Sequence, residues 1–371
     1  MKKYVSICLL FFMAAFTFVA CDEDEDNLEL SHISIHHTGV YLIGEGNEGA
    51  KLPGMLTSID KTNWSAVENA FSRVNGRTLG MTANGGTIYG SKLYIVMFGE
   101  NRIEVVDKHT MRSVKVIDTK QLAGDVKGNR PRQIVGANGC VYITTQGSSV
   151  LAIDTVNFAL NNVYAVGKYP EGLAATSHYI YVANSDYGNK EASLSIINLD
   201  SKKVTNKTDE LIYNPQKVVC VGNDVYVLAW GKYDTNWNQP DAGVLKISNG
   251  KIKKIASGTM MAVKPTGKDN ALIYVCNAAY GKAGKDVTYS VYNTQNQTTK
   301  TINMQEKVEW PVAMAVDPHT GYLYVTSDPT DPVHGGAIFA GLGYLNVYQP
   351  NGTLVKRHIP AGTHSSTILF D

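Results

Sequence analysis

The sequence predicts an all-β fold: a seven-bladed β-propeller with four antiparallel strands per blade. Three observations predict it. A short word built around tyrosine returns seven times along the chain. Each copy sits in a unit that turn residues divide into four short strands. The one strand missing from the first unit stands at the C-terminus instead.

The repeated word is "GVYLIGEG" at Gly39, "KLYIVMFG" at Lys92, "CVYITTQG" at Cys140 and "YIYVANSD" at Tyr179. It returns as "DVYVLAWG" at Asp224, "LIYVCNAA" at Leu272 and "YLYVTSDP" at Tyr322. The tyrosines are Tyr41, Tyr94, Tyr142, Tyr181, Tyr226, Tyr274 and Tyr324. A recurring unit of about 40–50 residues is the mark of a radial or solenoid repeat. Tyrosine suits the seam between blades, because its ring fills an apolar gap while its hydroxyl finds a polar partner. These seven are therefore expected to be structural.

The third unit shows the division most clearly. "RQIVGAN", "CVYITTQ", "SVLAIDT" and "LNNVYAV" are separated by Gly, Asn and Asp, which favour tight turns between antiparallel strands. The fourth unit divides into "EGLAATS", "YIYVANS", "LSIINLD" and a polar last strand expected to end near Ile212. The fifth gives "QKVVCVG", "DVYVLAW", "GVLKISN" and "KIKKIAS". The first two strands of a unit are the most apolar and the last the most polar. That gradient orders them from a buried axis to a wet rim. No long stretch with a helical period competes.

The first unit lacks an inner strand ahead of "GVYLIGEG". The C-terminal "HSSTILFD", residues 364–371, has the right length and alternation. It is expected to pair beside the N-terminal strand, closing the ring and removing free sheet edges.

The N-terminus is a separate matter. "MKKYVSICLLFFMAAFTFVAC" has a charged start, an apolar centre and a small residue before Cys21, the pattern of a secretion signal. Its end resembles a bacterial lipobox, with Phe18 where leucine is usual, which makes Cys21 the lipidated first residue of the mature protein. An ordinary signal beside an unmodified cysteine is the alternative. The acidic run "DEDEDN" that follows reads as a solvated linker. The expected organisation is a signal over 1–20, a lipidated cysteine and linker over 21–33, and one propeller over 34–371. A lipid anchor of this kind attaches a chain to a membrane without spanning it.

Composition excludes little else. The net charge is +1 with no basic stripe, which argues against nucleic acid. Beyond Cys8 and Cys21 there remain Cys140, Cys220 and Cys276, each inside a strand pattern. They read as buried, inert thiols rather than a disulfide framework.

Function is expected on one face, where the loops between second and third strands meet those that join blades. Blades two and three have short second-to-third loops. Blades one, four, five and six have long ones, and blade seven has the longest, "SDPTDPVHGGAIFAGLG". The long loops carry Tyr187, Trp230, Tyr233, Trp237 and Tyr280. The blade-joining loops add Tyr169, Tyr213 and Trp310. These eight are the candidate ligand-binding residues, an aromatic platform with Asn236, Asn238 and Asp241 around it; part of the set is expected to pack against neighbouring loops. Such a surface suits a large rigid ring system or a sugar.

Catalysis needs convergent acids, histidines or a metal. His36 and His37 precede the first strand and read as solvated. His334 and His364 reach the same face, with Asp328 and Asp331 flanking the first, but turn chemistry accounts for "SDPTDP". No triad stands out, and no enzyme activity, metal or cofactor is expected.

"YIYVANSD" and "YLYVTSDP" resemble the YVTN-type propeller repeat of secreted and surface-layer proteins. The lipobox, the acidic run, the opening "GVYLIGEGNEG" and the ending "HIPAGTHSSTILF" together resemble surface lipoprotein propellers of Bacteroides-type bacteria. In such lipoproteins an acidic run after the cysteine resembles an export signal, which implies the outer membrane's external side. Some members of that group capture cobalamin and other corrinoids and pass them to a TonB-dependent outer-membrane transporter. The resemblance implies a corrinoid ligand and such a partner, for a chain expected to be monomeric. A glycan-binding or adhesive envelope propeller is the alternative.

Overall fold

The computed structural model describes residues 39–278 and 286–371. The signal segment, Cys21, the acidic run, His36, His37 and Tyr280 lie outside the described residues. Within them are seven four-stranded antiparallel sheets. Their innermost strands are Ser365–Phe370, Ala83–Tyr89, Pro131–Ala137, Pro170–Ala175, Pro215–Val221, Met260–Pro265 and Pro311–Val316, in blades one to seven. Each touches the next, and the seventh touches the first, so the sheets form a closed ring around a channel.

The closing strand is the predicted one. Ser365–Phe370 pairs antiparallel with Gly39–Gly44, with Leu42 opposite Ile368. Both sides pin it. Phe370 packs edge-on against Tyr324 of blade seven at 4.9 Å between centroids, and Lys108 of blade two holds Asp371 at 2.6 Å.

The core lies between blades. Ile103 and Val105 of blade two pack against Ile143 and Leu151 of blade three, and the same arrangement recurs around the ring. Burying each such side chain contributes about 1.5–3 kcal/mol. Six of the repeat tyrosines are buried in these seams, and Tyr181 is half-buried. Tyr41 donates from its hydroxyl to Lys108 O at 2.9 Å, bridging blades one and two. Tyr94 differs, since its buried hydroxyl has no partner. The outer strands are wet, as the gradient predicts; Val114, Lys115 and Val116 are all exposed.

Two blades depart from the sequence reading. The outer strand of blade four is Val204–Lys207 and does not run on to Ile212. Asp209 accepts a bond from the Leu211 amide and turns the chain, and Ile212 leaves the sheet to enter the core between blades four and five. The outer strand of blade one is only Ala66–Val67, because the chain turns into a short helix, Ala70–Asn75, that buries Phe71. Cys140, Cys220 and Cys276 are free thiols, and burial pushes the last two up to about 12.

Candidate functional site at the channel mouth

At one rim of the channel every blade begins its inner strand and its second-to-third loop. The residue just before the inner strand has a left-handed backbone in five blades: His364 (φ 48), Thr82 (φ 58), Arg130 (φ 50), Tyr169 (φ 47) and Asn214 (φ 51). Non-glycine residues seldom adopt this region, and when they do they cluster at clamps and functional sites. A repeated hydrogen bond fixes them. The first residue of each loop donates its amide to that carbonyl: Glu45 to His364 at 3.0 Å, Phe98 to Thr82 at 2.9 Å, Gln146 to Arg130 at 3.1 Å. Ser185, Trp230 and Asp328 donate likewise to Tyr169, Asn214 and Trp310, each at 3.0 Å. In blade six the Thr259 hydroxyl takes the carbonyl's place, accepting from Ala278 N at 2.9 Å. The register shifts near the start of the inner strand in blades two, three, four, five and seven. Bulges of this kind re-aim side chains beside sites.

Two charged pairs sit on this ring. Arg132 binds Glu171 through Nε at 2.8 Å and Nη2 at 2.6 Å, bridging blades three and four. Phe98 lies against the guanidinium groups of both Arg130 and Arg132, each 5.3 Å from its centroid. Burial raises the Glu171 carboxyl pKa, although Arg132 pulls it down. His364 Nδ1 meets Asp328 Oδ2 at 2.9 Å, bridging blades one and seven. Burial pulls His364 down, but the bond and charge of Asp328 outweigh it, and its pKa lies above the usual histidine value. The carboxylate of Glu45 raises both Glu171 and His364. Beside His364 is a cavity of about 250 Å³ lined by Glu45, Asn47, Thr82 and Phe339.

The eight predicted aromatics are distributed unevenly. Tyr169, Trp230 and Trp310 stand on the ring. Tyr187 stacks on Tyr169 at 3.8 Å between centroids and takes a bond from Gln146 at 2.6 Å. Trp230 Nε1 donates to Thr259 O at 2.9 Å. Trp310 Nε1 is buried and has no partner. Tyr213 lies beside the ring under the Lys232 ammonium. Tyr233 and Trp237 are exposed farther out on the blade-five loop, edge-on at 5.8 Å. Asn236 and Asn238 bond to Asp234 and shape that loop, and the Asp241 carbonyl accepts from Lys254. His334 pairs with Asp331 at 3.0 Å, apart from the His364 pair, and Asp331 also accepts from the Val333 amide, the expected turn.

Sequence reasoning missed Arg132, Glu171, Glu45 and Phe98. A signal existed: proline opens the inner strand at Pro131, Pro170, Pro215 and Pro311, and the next residue is Arg132, Glu171, Gln216 or Val312.

A family model described as a domain of unknown function, DUF5074, matches residues 38–227, just over half of the chain. The chain belongs to the DUF5074 family. Nothing among curated proteins matches it. Solved structures resemble it in fold. A proposed 6-phosphogluconolactonase of Bacteroides fragilis is 11% identical with a TM-score of 0.58, covering 90% of this chain and 98% of that one. Hydrazine synthase of Kuenenia stuttgartiensis is 15% identical with a TM-score of 0.58, covering 76% and 88%. A functionally unknown protein of Desulfotomaculum acetoxidans is 9% identical with a TM-score of 0.57, covering 90% and 98%. At these identities the likeness is one of fold.

Proposed function

We propose that this DUF5074 propeller is a non-catalytic capture protein that holds a small, rigid, polar-rimmed ligand at the channel mouth. The observation that carries the reading is the five-fold left-handed residue at one structural position, which fixes side chains around the mouth before any ligand arrives. Flat faces from Tyr169, Tyr187 and Trp310, beside polar groups already held by Arg132–Glu171 and His364–Asp328, suit a large ring system with amide or hydroxyl substituents. The lipoprotein-like N-terminus, the opening "GVYLIGEGNEG" and the ending "HIPAGTHSSTILF", which resemble surface lipoprotein propellers, favour a corrinoid as that ligand. They also favour an outer-membrane surface lipoprotein that passes its cargo to a TonB-dependent transporter. A glycan is the second reading, favoured by the exposed Tyr233–Trp237 pair.

Calorimetric titration with cyanocobalamin tests the reading. Binding at about micromolar or tighter that weakens about tenfold in Trp310→Ala supports capture at the mouth. No heat and no thermal stabilisation at millimolar ligand rules out the corrinoid. Oligosaccharide binding lost in Trp237→Ala then favours the glycan.

A further inference from the structure

Blades two and three have short second-to-third loops, and at their part of the rim two arginines share one aromatic ring. Phe98 opens the blade-two loop and is half-buried; the guanidinium groups of Arg130 and Arg132 each lie 5.3 Å from its centroid. Arg132 is committed to Glu171 through two nitrogens. Arg130 is exposed, and among the described residues its guanidinium bonds no acceptor and pairs with no carboxylate. Its backbone is nonetheless fixed in the left-handed region, φ 50. The Arg130 amide donates to Asn101 Oδ1 at 2.8 Å, and its carbonyl accepts from Gln146 N at 3.1 Å. The Gln146 side chain then donates to the Tyr187 hydroxyl at 2.6 Å, which ties the arginine's frame to the blade-four loop. Tyr187 stacks on Tyr169 and is still 56% exposed. It follows Asp186, and both have left-handed backbones, φ 49 and φ 44.

Arg130, Arg132 and Glu171 are two cations and one anion, so one positive charge stays unmatched. Glu100, two residues beyond Phe98, does not match it, because it pairs with Arg102 at 2.8 Å. A guanidinium presents five donors in a planar fork that fits the two oxygens of a carboxylate or phosphate. An exposed tyrosine ring beside it offers a flat apolar face. Left-handed backbone at Arg130, Asp186 and Tyr187 is the kind of strain that persists where a site needs it. We propose that Arg130, with Phe98 and Tyr187, forms a subsite at the mouth for a flat ring that carries an oxyanion, either carboxylate or phosphate. Arg130 takes the oxyanion, Phe98 holds the guanidinium in place, and Tyr187 takes the ring. This deepens the capture reading and rests on it for the use of the mouth, because it assigns the captured molecule a negative group.

The test is an NMR titration of the full chain with phenyl phosphate, benzoate, phenol and inorganic phosphate at equal ionic strength. Phenyl phosphate or benzoate should shift the Arg130 side-chain N–H and the Tyr187 ring signals with a millimolar Kd. The stronger of the two identifies the oxyanion. Phenol, which lacks the charge, and inorganic phosphate, which lacks the ring, should each bind about tenfold more weakly. Arg130→Gln should weaken the aryl anion about tenfold, the loss expected when a charge-assisted bond is removed. Tyr187→Ala should weaken the aryl anion and leave inorganic phosphate unchanged. No shift at either residue with any aryl anion overturns the proposal, and so does equal affinity in wild type and Arg130→Gln. Phenyl phosphate binding no tighter than inorganic phosphate also overturns it. Arg130 is exposed, so its variant is expected to fold; if it does not, the wild-type ranking of the four probes decides alone. Failure here leaves the capture reading to the cyanocobalamin titration, which does not depend on these probes.

Discussion

Replacing Arg132 with Met leaves Glu171 buried at 5% exposure without its cation. Breaking a fully buried pair costs about 3–5 kcal/mol. Here Arg132 keeps 26% of its side-chain exposure and Glu171 7%, so the value is discounted to about 2 kcal/mol. Loss of the guanidinium over Phe98 adds about 0.5–1 kcal/mol. The total, near ~3 kcal/mol, lowers Tm by about 6 °C for a domain of this size. The pH dependence is more telling. Burial already raises the Glu171 carboxyl pKa. A carboxyl with a raised folded pKa contributes stability below its unfolded value of about 4.3, and loses it as pH rises through the folded value. Removing Arg132 raises that folded value further. The deficit of Arg132→Met is therefore largest at neutral pH and shrinks as Glu171 takes a proton. Chemical and thermal unfolding at pH 7 and pH 5 measure this. Adding Glu171→Gln in the Arg132→Met background recovers about 2 kcal/mol at pH 7. A variant as stable as wild type at pH 7, or a deficit identical at both pH values, refutes the reasoning.

Three further outcomes are expected. Deleting residues 365–371 removes the inner strand of blade one together with Phe370 and the Lys108–Asp371 bond, so far-UV dichroism and size exclusion should show loss of the soluble folded protein; a truncated chain that melts like wild type contradicts the closure. His364, whose folded pKa is raised, contributes stability below about 6.5 that is lost as pH rises through the folded value. Asp328→Asn should lower the His364 pKa by about one unit in an NMR titration, and an unmoved pKa counts against the pairing. Cys276, fully buried and pushed up to about 12, should resist a thiol reagent at pH 8 until the protein unfolds, whereas Cys220 is half-buried; rapid labelling of Cys276 in the native state refutes its burial.

Much of the fold was legible in the sequence. The seven tyrosine words, the turn residues between strands and the apolar-to-polar gradient are local signals. They repeat because every blade solves the same packing problem. The closing strand was legible because an unfilled position and an unused strand of matching pattern occupied opposite ends of the chain. The irregular outer strands of blades one and four were not, since Ile212 leaves the sheet for a core that blade five completes and Phe71 is buried by a short helix that follows a two-residue strand.

The site divides in the same way. Its face and its long loops follow from strand order, and so does the general position of Tyr169, Trp230 and Trp310. Its charges do not. Arg132 and Glu171 are 39 residues apart, and Asp328 and His364 are 36 apart. Each looks solvated alone; pairing, and the burial of Glu171 and Asp328, come only when adjacent blades meet. Arg130 reads in sequence as one charge in a loop, and the meeting of blades two and three sets it with Arg132 on the Phe98 ring. The sequence by itself determined the blades and their order, because strand propensity, turns and alternation are near-neighbour properties. Only the tertiary structure decided which charges face one another, because that depends on bulges, loop anchoring and closure acting across the whole ring.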